Sequence, residues 1–75
     1  MNRKRRKKIT DVIESLNNCV SRLEDIKEEE DDSRSEIPEN LQNGDGYIFS
    51  EECSDKIDDA LEDIKGAVST LEEIL

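Results

Sequence analysis

Apolar residues return every third or fourth position in two stretches of this chain, and polar residues fill the gaps between them. The first stretch carries Ile9, Val12, Ile13, Leu16, Cys19, Val20, Leu23 and Ile26, and the second carries Ile57, Ala60, Leu61, Ile64, Ala67, Val68, Leu71 and Ile74. Residues three and four apart share one helix face, so each stretch is an amphipathic helix with heptad character. The two stretches also repeat one another at an offset of 48 positions, as in Ile9/Ile57, Val20/Val68, Leu23/Leu71 and Ile26/Ile74. The pattern predicts an all-α chain with helices over about 5–30 and 51–75, forming an antiparallel two-helix hairpin. Each helix has one stripe to bury. A lone hairpin covers each stripe with a single neighbour, so two hairpins are expected to dimerise into a four-helix bundle.

Residues 31–50 read as an irregular connection, too long for a tight turn. Ile37-Pro38 halts a continuing helix, because the residue before proline avoids the α region. Pro38-Glu39-Asn40-Leu41 suits one short helical turn, and Asn43-Gly44-Asp45-Gly46 is turn chemistry. Ser50 is the expected N-cap of the second helix, with Glu51 and Glu52 favourable in its first turn. Tyr47, Ile48 and Phe49 bring both aromatics of the chain together. They are read as a plug over the end of the hairpin or as a patch for a partner. Gly66, inside the second helix, is read as marking a close helix approach.

Seventy-five residues make a single domain, 1–75, and charge divides it sharply. Residues 1–8 form a basic arm with Arg3, Lys4, Arg5, Arg6, Lys7 and Lys8 and no acid, whereas all 21 acidic residues lie in the remainder beside five basic ones. The acidic body should repel nucleic acid and attract basic partners, and the arm is the one segment suited to phosphate contact. No glutamine, asparagine or aromatic reader follows the arm, so only non-specific contact is implied. No stretch reaches the roughly 18 apolar residues of a membrane span. Thr10, Asp11 and Glu14 interrupt any apolar region after the basic start, which excludes a secretory signal. The chain is therefore expected to be soluble and cytoplasmic, with no membrane association.

Cys19 and Cys53 sit on seam positions and are expected as small buried hydrophobes. In the expected register Cys19 lies opposite Asp63, about ten residues or ~15 Å along the hairpin from Cys53. That is too far for a disulfide, which needs Cα atoms within about 7 Å. Histidine is absent and the cysteines lack metal-ligand spacing, which removes triads, His-based acid–base chemistry and ordinary zinc sites. No phosphate-binding glycine loop is present either. The chain is expected not to be an enzyme and to hold neither metal nor cofactor. The stretch from Asn43 to Glu52 resembles an EF-hand calcium loop, with Asn43, Asp45, Gly46, Ile48 and Glu52 on its third, fifth, sixth, eighth and twelfth positions. It departs from that pattern at Leu41, where an aspartate belongs, and at Pro38, which denies the loop an entering helix. A polar turn explains the same letters.

The whole chain resembles a group of small acidic helical-hairpin proteins encoded by phages and mobile elements of Gram-positive bacteria. These pair a basic start with a leucine-and-glutamate helix, an Ile/Leu-Pro-Glu-x-Leu-Gln connection and a second acidic helix. The connection here is Ile37-Pro38-Glu39-Asn40-Leu41-Gln42. The resemblance implies a helical hairpin of mobile-element origin and leaves its activity open.

These features point to a non-catalytic protein–protein interaction module that modulates a host or phage protein. Its self-association or partner face is expected at Ile9, Ile13, Leu16, Val20, Leu23, Ile26, Ile57, Leu61, Ile64, Val68, Leu71 and Ile74, with a further patch at Tyr47 to Phe49. The alternative is an acidic nucleic-acid mimic that inhibits a nucleic-acid-handling or defence enzyme. A third reading is a small DNA-associated factor using Arg3 to Lys8.

Overall fold

A computed structural model describes residues 1–75. It contains α1 (Arg3–Ser35), a single 3-10 turn (Glu39–Leu41) and α2 (Asp45–Glu72). The two long helices pack against each other along a rod 59 Å long and 15 by 12 Å across. There is no strand. The antiparallel helical hairpin expected from the periodicity is the fold.

The repeat at 48 positions reappears as burial. Ile13 and Leu61 are both buried, as are Val20 and Val68. Ile9/Ile57, Leu16/Ile64 and Leu23/Leu71 are half-buried pairs, and Ile26/Ile74 are both exposed, at 50% and 40%. On α1 the inward line runs Ile9, Ile13, Leu16, Val20, Leu23, then Lys27, Glu30 and Arg34. Its steps alternate between three and four, so each residue stays on the face turned toward α2. The step after Leu23 is four rather than three. It leads to Lys27, and so Ile26 falls outside the core. On α2 the same line begins at Ser50 and Ser54 and continues through Ile57, Leu61, Ile64, Val68 and Leu71. Half of the interface is thus aliphatic, and the half nearest the connection is polar.

The helices are longer than the apolar pattern, and the connection shrinks from 31–50 to residues 36–44. α1 starts where Asn2 accepts a hydrogen bond from the Arg5 amide at 2.9 Å, a side-chain cap that offsets six cations in the first turns. It continues through the acidic run because Arg34 stands in its last turn beside the C-terminal carbonyls. Its end comes just before Pro38, as the sequence requires. α2 begins at Asp45, five residues before the expected cap. Gly44 precedes it and donates from its amide to the Leu41 carbonyl at 3.1 Å; a Cβ there would lie a tight 3.2 Å from that oxygen. Ser50 is therefore not a cap but a buried residue inside the helix. Residues 45–52 are helical, so the calcium-loop conformation suggested by Asn43, Asp45 and Glu52 does not form.

Three smaller expectations also change. Cys19 is exposed rather than buried, because its position lies one residue before Val20 and off the inward line; Cys53 is half-buried, and both thiols are free. Gly66 marks no close approach, since nothing stands within 4 Å of a Cβ placed there. Tyr47 to Phe49 do not plug the hairpin. They occupy the first turn of α2, where neighbours point about 100° apart, and Phe49 remains 66% exposed.

Two substitutions test this packing in thermal unfolding followed by circular dichroism. Gly66→Ala should stabilise the chain by about 1 kcal/mol, since the site is helical and open. Leu61→Ala removes one of four buried aliphatic side chains and should cost about 2 kcal/mol, a midpoint loss of roughly 10 °C.

Candidate functional site

The polar half of the interface centres on Arg34. Its Nη1 donates to the Ser50 carbonyl at 3.1 Å, to Ser50 Oγ at 3.1 Å and to Ser54 Oγ at 2.9 Å. Its Nη2 meets Asp31 Oδ1 at 2.7 Å. The two serine hydroxyls pass the polarity back to α1: Ser50 Oγ donates to Glu30 Oε2 and Ser54 Oγ to Asp31 Oδ1, both at 2.6 Å. One turn further along, Lys27 Nζ reaches Asp58 Oδ1 at 3.0 Å and Asp31 Oδ2 at 3.8 Å. No buried side-chain polar atom lacks a partner. Serine is small enough to admit a guanidinium between two helices and still supplies an acceptor and a donor. Its hydroxyls are short because their acceptors are charged.

This network sets three ionisation equilibria. The Ser54 hydroxyl, and after it Arg34, hold the Asp31 carboxyl below the usual carboxylate range. The hydrogen bond to Asp58 raises Lys27, and that to Asp31 raises Arg34. Apolar periodicity does not reveal this cluster, because its members are polar residues on the same inward line. Its signal was present all the same: Lys27 and Arg34 lie seven and fourteen residues after Val20, and Ser54 seven before Leu61.

Beyond this seam the hairpin has two unlike sides. One is acidic and carries a shallow groove lined by Glu24, Lys27, Glu28, Asp31, Asp58 and Glu62 among others. The other is apolar. Val12, Cys19 and Ile26, seven residues apart, share a face of α1 and are all exposed, Val12 and Ile26 at 50%. Cys53, Ala60 and Ala67 share the matching face of α2 beside Ile57, Ile64 and Leu71, and Ile74 follows in the turn after its last residue. Cys19, Leu23, Ile26 and Ile64 border one groove, which places both stripes on the same side of the hairpin. Phe49 extends that side toward the connection, where it borders Cys53 and Ile57.

The structure thus separates the residues that the sequence grouped. Of the predicted contact face, Ile13, Val20, Leu61 and Val68 are consumed by the hairpin itself. Ile9, Leu16, Leu23, Ile57, Ile64 and Leu71 are half-buried at the border between the core and the surface, and Ile26 and Ile74 lie open. Tyr47, Ile48 and Phe49 do not form one patch: Tyr47 lies near enough to Arg34 to act on its charge, whereas Phe49 joins the apolar side. Arg3, Lys4, Arg5, Arg6, Lys7 and Lys8 are helical and exposed at the open end of the rod. Lys7 makes one exposed ion pair with Asp11 at 3.6 Å. No group of three or more Cys, Asp or Glu side chains stands in an arrangement that holds a metal ion, and no helix is long and apolar enough to cross a membrane.

Compared with known proteins, the chain matches no family model, no curated protein and no solved structure. The resemblance to mobile-element hairpins therefore rests on the sequence motifs alone.

Because the folded-state value of Asp31 is depressed, its contribution to stability is present in full above about pH 5 and disappears as pH falls through that lowered value. Lys27, raised, contributes below its ordinary value and loses that contribution only in strong alkali. Protonating the other exposed acids also relieves repulsion within the body, so the informative quantity is a difference. The thermal midpoint of Asp31→Asn should lie a few degrees below that of the native chain at pH 7, and the gap should narrow as pH falls below the ordinary carboxylate range.

Proposed function

We propose that this chain is a non-catalytic protein–protein interaction module that binds through the apolar side of its hairpin. The observation that carries this reading is the uncovered row of Val12, Cys19, Ile26 and Phe49, with half-buried Ile64 beside it, along one side of a rod whose other side is acidic. A slender hairpin shelters each helix with one neighbour, and an apolar row of this length in water is the surface that a further helix covers. The acidic side then keeps the module soluble and sets the sign of what approaches it. Nothing in the chain supplies a histidine, a nucleophile with its base, or a phosphate loop, which accords with a binding role. The sequence resemblance leaves activity open but implies a mobile-element origin, from which we infer that the protein it modulates belongs to the host or the phage.

A second reading draws on the acidic groove between Glu24 and Glu62. Carboxylates along a stiff rod imitate a phosphate backbone and would occupy the basic cleft of a nucleic-acid-handling or defence enzyme. The two readings respond oppositely to salt and to mutation. Immobilised chain should retain its partner from host extract at about 0.5 M salt, where the Debye length is only a few ångströms, and should lose it on Ile26→Glu. Retention by Ile26→Glu together with loss at high salt and competition by duplex DNA would instead favour the acidic mimic.

A further inference from the structure

The apolar side has a centre, and the centre is the same on both helices. On α1, Val12 and Ile26 lie seven residues either side of Cys19, and Arg5 and Ser33 lie fourteen either side. Seven residues are close to two whole turns, so these positions stay on one side of the helix, and all five are exposed. The stripe therefore reads nearly the same in both directions, except that it ends in the basic arm at one limit and the acidic run at the other. On α2, Ile57 and Leu71 lie seven residues either side of Ile64. Cys19 and Ile64 border the same groove, so the two midpoints stand at one height on the rod.

A surface that meets a copy of itself about a two-fold axis must place each residue against its mirror position in the order of the stripe. With the axis across the rod at Cys19 and Ile64, α1 lies antiparallel on α1 of the second copy. Val12 then meets Ile26, Cys19 meets Cys19, and Arg5 meets Ser33, about 21 Å from the axis on either side. With the axis along the rod instead, both basic arms stand at one end and both acidic turns at the other. Charge decides between them. The arm holds six cations and no acid, whereas residues 28–52 hold ten acids and one arginine. The crossing arrangement sets each arm against the partner's acidic end, and the lengthwise one sets like against like.

We propose that the apolar side is the contact between two copies of this chain, stacked antiparallel so that the basic arm of each lies along the acidic connection end of the other. The proposal rests on the reading of the apolar side as a binding surface and names its occupant. The basic arm, on this account, is one half of an electrostatic register device in a four-helix bundle rather than a nucleic-acid contact.

Sedimentation of the full chain at about 100 μM, well above a micromolar dissociation constant, tests the occupant. A dimer is expected, and a monomer overturns the proposal. Disulfide trapping tests the direction. In a background of Cys19→Ala and Cys53→Ala, chains carrying Arg5→Cys and chains carrying Ser33→Cys are mixed and mildly oxidised. The mixed disulfide should dominate over both like-with-like products. Dominance of the like-with-like products shows the lengthwise arrangement and overturns the antiparallel one, while leaving the binding surface itself in place. The underlying reading fails separately: a dimer whose sedimentation is unchanged by Ile26→Glu does not use the apolar side at all.

Discussion

Register between the two helices depends on one guanidinium. Heptad seams are self-similar, and a chain whose second helix repeats its first is doubly so; sliding α2 by seven residues would still lay isoleucine against leucine. Arg34 removes that freedom. In the observed register it meets Ser50 and Ser54, whose hydroxyls accept from it and donate onward to Glu30 and Asp31. A slip of one heptad would lay it against Ile57 and Leu61, leaving a charge between helices with no acceptor. A buried polar contact of this kind contributes more to the choice of structure than to its depth. From that register follow the positions of the connection, the coincident midpoints of the apolar stripes and the separation of acidic from apolar sides.

The fold was legible because its signal is periodic. Ile13, Val20, Leu61 and Val68 announce themselves by spacing, and no tertiary effect competes with them. The helix limits were less legible. The acidic run at residues 28–32 carries the wrong sign for a C-terminus and suggested an exit, yet the helix passes through it, with Asp31 paired to Arg34 and Lys27 and Glu30 accepting from Ser50. Ser50 resembled a cap for the same local reason, and only the partner across the interface makes it an interior residue. What single letters encode is propensity; what decided these positions is the pairing of two segments 16 to 23 residues apart.

The candidate surface was half legible. Val12, Cys19 and Ile26 were visible as apolar letters, but spacing alone does not say whether such a residue belongs to the seam or to its flank. The difference is one residue in a seven-residue repeat, equivalent to a rotation of about 100°. Burial in the hairpin resolves it, and the flank proves to be continuous across both helices. Charge shows the same dependence on placement. Net acidity describes the body as a whole, whereas the arm and the connection end stand at opposite ends of a rod and so form a dipole along its length.

The chain's one tyrosine occupies a telling position. Tyr47 is half-buried and acts electrostatically on Arg34, and no tryptophan is present to mask its emission. Its fluorescence is therefore a built-in, label-free optical reporter of the hinge end of the rod, while the amide ellipticity averages over every turn. Divergence between the two signals on heating would reveal unzipping that starts at the bend, and coincidence would reveal a molecule that melts as one.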